Sequence, residues 1–212
     1  QAGVRCFNVE SVAELACLNE VAIAMERRAP ISLRVNPDVD AGTHPYISTG
    51  LKSNKFGIPH GQALGDYLQA VAMPDIGSQI TQVGPFEDAL DRLLDLVDAL
   101  ESGGIRLQHI DVGGGLGIVY TDEQPPPVAL LIGRLLKRLD ERGHGQKEVL
   151  FEPGRSLVGN AGVLLTEVLY TKPSEARNFC VVDAAMNDLM RPAMYEAWMA
   201  IEPCVQRAEP GS

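Results

Sequence analysis

Leu107-Gln108-His109-Ile110-Asp111-Val112-Gly113-Gly114-Gly115-Leu116-Gly117 is a short apolar run that breaks into a cluster of glycines. The run has strand length and ends abruptly, as a strand does when it enters a loop. Val128–Leu139 follows with apolar residues at helical spacing, and Val149–Glu152 is the next short apolar segment. Strand, loop, helix and strand in that order make a βαβ unit, which sets the two strands parallel in one sheet.

The same alternation extends toward the N-terminus. Val4–Val9 is a strand candidate that runs into Ser11-Val12-Ala13-Glu14, a capping-box signature, and a helical pattern through Leu15, Leu18, Ala22 and Met25. Ile31–Val35 reads as a strand and Gln62–Ala72 as a helix. After Pro85, Phe86, Leu90, Leu93, Leu94 and Val97 recur at helix spacing. Repeated βα units leave two architectures open, a doubly wound sheet or a (β/α) barrel. Two places interrupt the pattern. Asn36 to Gly57 has no periodicity, and loops that long are usually functional or disordered. Between Ala72 and Gly77-Ser78-Gln79 no strand fits, although a barrel needs one there.

Past Arg155 the texture changes. Val163–Tyr170 and Phe179–Asp183 read as strands without a helix between them, and Pro192–Trp198 as a short helix. A second, β-rich domain therefore begins near residues 155–160. Its end, Arg207-Ala208-Glu209-Pro210-Gly211-Ser212, is loop chemistry with too few strands behind it to complete a β domain.

Composition narrows the function classes. A 45% hydrophobic, 22% charged chain matches a soluble globular protein, and no apolar run reaches membrane-span length. The net charge of −10 argues against nucleic acid and anionic membrane surfaces as partners. Cys6, Cys17, Cys180 and Cys204 have neither C-x-x-C spacing nor a matching His pair, which leaves no metal site and points to buried, reduced thiols in a cytoplasmic protein. The start, Gln1-Ala2-Gly3-Val4-Arg5, lacks a signal-peptide pattern and an initiator Met, and reads as the middle of a longer chain.

Three motifs carry chemistry at strand ends, where parallel barrels place their sites. In Asp111 to Gly117, consecutive glycines let backbone N–H groups approach an anion, which suits a phosphate; a tight structural turn is the other reading. The spacing is neither a dinucleotide fingerprint nor a Walker loop. In Phe151-Glu152-Pro153-Gly154-Arg155, Pro153 stops the strand, Gly154 frees the backbone, and Arg155 offers a planar fork for carboxylate or phosphate. Gly77-Ser78-Gln79 adds a hydroxyl and N–H groups.

Taken in order and spacing, Asn54-Lys55-Phe56-Gly57-Ile58, Gly77-Ser78-Gln79, Asp111 to Gly117, Glu152-Pro153-Gly154-Arg155 and the run from Val182-Asp183-Ala184-Ala185-Met186-Asn187-Asp188 to Arg191-Pro192-Ala193-Met194-Tyr195 closely resemble bacterial diaminopimelate decarboxylases. These are fold-type III pyridoxal-phosphate enzymes, and the resemblance covers essentially the whole chain. It implies part of a pyridoxal-phosphate-binding (β/α)8 TIM barrel over residues 1–155, followed over 156–212 by a truncated β-rich domain like the C-terminal domain of alanine racemase. It further implies pyridoxal 5'-phosphate as cofactor, bound by Ser78, Gly113, Gly114, Gly115, Glu152, Pro153, Gly154 and Arg155. Glu152 would pair with the ring nitrogen and keep it protonated. Arg155, Arg191 and Tyr195 would hold the distal end of a small amino-acid substrate; Arg191 and Tyr195, four apart, would share one face of a helical turn. A homodimer with shared active sites in the cytoplasm, making L-lysine and carbon dioxide from meso-2,6-diaminopimelate, is the implied whole. The alternatives are a decarboxylase for another basic amino acid and a non-catalytic paralogue.

The chain also departs from that family. Its Schiff-base lysine would precede Gln1, and Lys52 and Lys55 belong to the long loop. The strand and His that stack on the ring have no counterpart between Pro74 and Gly77; His60 and His109 stand elsewhere. The partner-subunit Cys would follow Ser212, leaving Cys204 a structural thiol. No catalytic residue is therefore assigned. About four of the eight barrel strands are expected, with apolar edges exposed, as in a piece of a larger protein.

Overall fold

A computed structural model of the chain describes residues 3–36, 58–59, 71–74 and 80–205. It divides into two units, Gln1–Val119 with Glu123–Ala161, and Tyr120–Asp122 with Gly162–Ser212.

All strand pairing in the first unit is parallel. Strand β2 (Ile31–Asn36) pairs with β1 (Phe7–Val9), with β3 (Ile58–Pro59) and with β4 (Val71–Pro74). Strand β5 (His109–Asp111) pairs with β6 (Glu148–Leu150), and a parallel bridge joins Ile80 to Leu116. The expected helix through Ala72 is corrected here. Val71–Pro74 is a strand, in register with Ser32 to Val35, so a strand does precede the Gly77-Ser78-Gln79 segment. The local pattern lost to tertiary pairing, and Pro74 is tolerated because it closes the strand. With that strand, β3 and the others, six strands stand among the described residues of this unit, more than the four expected. The remainder of the expected 62–72 helix, and the long loop after Asn36, lie outside the described residues.

The helices follow their sequence signals. Helix α1 (Val12–Ala24) starts at Ser11, whose hydroxyl oxygen accepts from the Glu14 N–H at 3.2 Å. The Glu14 carboxylate reaches back to the Glu10 N–H at 2.7 Å, one residue before the cap, a shifted form of the capping box. Helix α2 (Gly84–Ser102) opens with proline in its first turn and buries Phe86, Ala89, Leu90, Leu93, Leu94, Leu96, Val97 and Leu100. Helix α3 (Val128–Glu141) buries Leu131, Leu135 and Leu139, one stripe at four-residue spacing. These stripes meet Val9, Leu33, Val35, Leu107, Ile110 and Val112 of the strand layer in one core.

A ladder of ion pairs locks α2 to α3. The Arg134 guanidinium grips Glu87 through two bonds of 2.8 Å, Arg138 grips Asp91 at 2.6 and 2.9 Å, and Arg142 reaches Asp95 at 2.8 Å and Asp98 at 2.7 Å. The first three rungs share one sequence offset of 47 residues. A constant offset is what parallel helices of equal rise produce, so the charges lie rung against rung. His144 adds a 2.8 Å contact to Asp98, and Lys147 pairs with Glu101. Burial pushes the Asp98 carboxyl up, but Arg142 and His144 outweigh it and hold it below its ordinary value. The Lys147 ammonium does the same for Glu101.

The second unit is thinner. Strands β7 (Val168–Lys172) and β8 (Phe179–Val182) form an antiparallel hairpin with a register shift between Val168 and Tyr170. The expected strand from Val163 starts only at Val168, because the hairpin partner reaches no further and Val163 is left 97% exposed. Asp183 pins the base of the hairpin, accepting from Thr166 Oγ1 at 2.6 Å and the Glu167 N–H at 2.8 Å. The short helix falls at α5 (Arg191–Tyr195), earlier than expected. No described residue of this unit is buried. The cysteine reading is corrected too: Cys17, Cys180 and Cys204 are exposed and Cys6 is half-buried, all four free. Cys17 sits on α1, which buries no residue, and Cys180 sits on the thin hairpin, so neither has a core to enter.

Candidate functional site

The glycine loop that follows β5 is held from both sides by backbone. On one side, the Val112 N–H donates to the Leu150 carbonyl at 2.9 Å and the Glu152 N–H to the Gly113 carbonyl at 2.7 Å. On the other, the Ile80 N–H donates to the Gly115 carbonyl at 2.9 Å and the Gly117 N–H to the Ile80 carbonyl at 2.8 Å. Gly113 and Gly115 turn through positive φ, +72° and +96°, where a side chain would be strained. Gly114 passes so close to the next strand end that a Cβ there would lie 2.1 Å from the Glu152 carbonyl oxygen.

After this stitching the donors of Gly114 and Gly115 remain on the half-buried side of the loop. Among the described residues, the N–H groups of Gly114 and Gly115 meet no acceptor, and both glycines are half-buried. Adjacent unsatisfied amides are the groups that receive an anion in a backbone nest, and these fit a phosphate. A cavity of about 70 Å³ adjoins the loop, lined by Gly113, Gly114 and Pro153 together with Phe86, Leu131, Leu135 and Phe151; its apolar lining suits core packing rather than an anion.

Asp111 anchors the loop from its start. Its Oδ1 accepts from the Gly113 N–H at 2.8 Å. Burial pushes this carboxyl above its ordinary range, with the Gly113 bond and His109 working against the shift. His109, two residues earlier on the same strand, is buried, and its Nε2 has no hydrogen-bond partner among the described residues.

Glu152 stands two residues after β6, hydrogen-bonded to the glycine loop through its N–H, and is exposed. The Asn8 amide, in the middle of β1, approaches its carboxylate at 3.4 Å. One turn of helix, α4 (Gly154–Val158), starts immediately after Pro153; the Gly154 N–H donates to the Glu152 carbonyl at 2.8 Å, and Arg155 occupies this turn, half-buried. At the ends of β1 and β2, Arg34 Nη1 donates to Glu10 at 2.6 Å. Sequence reading missed Asn8, Glu10 and Arg34. Alternation was the available signal: Asn8 and Glu10 flank the buried Val9 on the opposite strand face.

In the second unit, Arg191 and Tyr195 come together as the four-residue spacing predicted. The guanidinium carbon of Arg191 lies 5.5 Å from the Tyr195 ring centroid and 5.2 Å from that of Tyr120. Ser78 lies outside the described residues. Gly113, Gly114, Gly115, Glu152, Pro153, Gly154 and Arg155 gather within the first unit, on the two adjacent loops after β5 and β6. No group of three or more metal-ligating side chains is found among the described residues.

The sequence profile of the family described as "Pyridoxal-dependent decarboxylase, pyridoxal binding domain" matches residues 1–159. The chain belongs to that family. It is 55% identical, over 95% of its length, to a diaminopimelate decarboxylase of Pseudomonas aeruginosa, and 53% identical, over 96%, to one of Vibrio cholerae. It spans about half the length of these curated relatives, 50% of each. Among solved structures, a Helicobacter pylori diaminopimelate decarboxylase complexed with L-lysine matches 93% of this chain and 51% of its own, at 37% identity and a TM-score of 0.83. The parallel βα unit of this chain is accordingly a partial TIM barrel of the fold-type III class.

Proposed function

We propose that this chain is the cofactor-phosphate and substrate-grip portion of a decarboxylase that converts meso-2,6-diaminopimelate to L-lysine and carbon dioxide. The observation that carries the reading is the clamped Gly113-Gly114-Gly115 loop, with the Gly114 and Gly115 amides left without acceptors beside Glu152. Pyridoxal 5'-phosphate, when bound, supplies a protonated ring that accepts the electron pair released as carbon dioxide leaves.

The chain's own residues divide the remaining work. Gly113, Gly114 and Gly115, with Ser78 and the Pro153-Gly154-Arg155 turn, hold the phosphate. Glu152 holds a proton on the ring nitrogen, its negative charge favouring the protonated form, and Asn8 orients the Glu152 carboxylate. Arg155, Arg191 and Tyr195 hold the distal amino-acid end, where a guanidinium fork matches a carboxylate. The barrel part occupies 1–155 and the β-rich part 156–212. The working enzyme is a homodimer with shared sites in the cytoplasm; among the described residues, no helix is long and apolar enough to cross a membrane.

The test is decarboxylation by the full-length polypeptide that contains these residues, supplied with the cofactor and given diaminopimelate or ornithine. Lysine production with a strong preference for diaminopimelate is expected. A preference for ornithine would overturn the substrate assignment, and sedimentation as a monomer at working concentration would overturn the shared-site dimer.

A further inference from the structure

We infer that Tyr120 is a positioning residue for Arg191 and so sets how tightly the distal carboxylate of the substrate is held. The inference rests on the reading above, in which Arg191 contacts that carboxylate. Tyr120 does not belong to any of the chemical motifs. It follows the glycine loop by three residues, yet it lies in the second unit, with Arg191 and Tyr195. Its ring centroid stands 5.2 Å from the Arg191 guanidinium carbon, slightly nearer than the Tyr195 ring at 5.5 Å, and both are within cation–π range.

The position of the guanidinium needs this explanation. Arg191 opens a helix of a single turn, which by itself fixes a long side chain poorly. Its Nε is buried and has no hydrogen-bond partner among the described residues. Among the described residues no carboxylate forms an ion pair with it, so charge pairing does not hold it. What does hold it is aromatic: Tyr195, four residues on along the turn, and Tyr120 from a remote part of the sequence. Rings attract the cation without occupying its N–H groups, so the guanidinium edge stays available for a bidentate carboxylate. A pre-placed side chain loses less conformational freedom when the substrate arrives, and that saving appears in binding rather than in the chemical step.

The experiment uses the full-length, cofactor-loaded protein. Tyr120→Phe keeps the ring and should match the unaltered protein. Tyr120→Leu removes it and should raise KM for diaminopimelate roughly two- to fivefold, with kcat within about twofold and cofactor affinity unchanged. Competitive inhibition by L-lysine, which keeps the distal carboxylate, should weaken by the same factor. If Tyr120→Leu does not fold, progressively fluorinated phenylalanine at position 120 preserves shape while draining the ring face, and KM should climb with each fluorine. A KM indifferent to loss or fluorination of the ring would overturn the inference, as would equal defects in the Phe and Leu variants. No decarboxylation by the unaltered protein would instead overturn the functional reading and this inference with it.

Discussion

The two units hold themselves together by different means. In the first, α2 alone buries eight residues and shares a core with α3 and two sets of parallel strands, so order is set by packing. In the second no described residue is buried, and order is set by local bonds: the β7–β8 ladder, the Asp183 clamp on Thr166 and Glu167, and the rings around Arg191. A two-stranded hairpin has too little surface to bury against itself. The Gly113-Gly114-Gly115 loop thus rests on a packed layer, while Arg191 depends on a few specific contacts.

That contrast is most easily broken from the core. Leu94, fully buried on α2, should cost about 2–5 kcal/mol of unfolding free energy when changed to Ala, read by denaturant titration. A cost below about 1 kcal/mol would mean the first unit is not packed as described. Next comes the loop. Gly114→Ala sets a methyl against the Glu152 carbonyl, which is backbone and cannot swing aside, so about 1–3 kcal/mol of stability and most of the phosphate affinity should be lost. Cofactor titration with thermal melting checks this, and unaltered cofactor affinity would sink the phosphate assignment.

Acid tests the ladder. Asp98 and Glu101 have depressed carboxyl pKa values, against ordinary values of 3.8 and 4.5, so their stabilisation is complete above those values and is lost as pH falls through the lowered ones. Asp111 has the opposite sign. Its carboxyl is raised, so the ionised form costs stability, and that cost is relieved as pH falls from the raised value toward 3.8. Asp98→Asn should flatten the acid limb of the stability profile; Asp111→Asn, which keeps an acceptor for the Gly113 N–H, should be neutral or slightly stabilising at pH 7. A large loss in Asp111→Asn would show that the charge itself matters to the loop. The smallest effect is expected in the second unit: Leu165→Ala, at a side chain 75% exposed, should change stability by less than about 0.5 kcal/mol.

Much of the first unit was legible because its signals are local and periodic. Ser11 and Glu14 announce a helix start by their chemistry, and Leu131, Leu135 and Leu139 announce a buried face by their spacing. Val71–Pro74 was misread because four residues are too few for periodicity to distinguish strand from helix end, and only pairing with Ser32 to Val35 decides the matter. That a glycine loop follows β5 was legible by composition. Which amides remain free was not, because that depends on hydrogen bonds to Ile80 and Glu152, the first 35 residues or more away in sequence from its partners and both brought alongside only by the fold. Asn8 and Tyr120 were invisible for the same reason: neither lies in a motif, and each matters through one distant neighbour.

The sequence by itself determined the βα alternation, the glycine and Pro-Gly-Arg turns, the four-residue spacing of Arg191 and Tyr195, and the family these motifs belong to. All of these rest on backbone preference and short-range spacing, which a linear string carries in full. Tertiary structure alone decided that Gly114 must be glycine against the Glu152 backbone, that α2 and α3 join rung by rung, and that Tyr120 stands over Arg191. Each is a contact between residues remote in the chain, and such contacts exist only once packing has fixed which elements are neighbours.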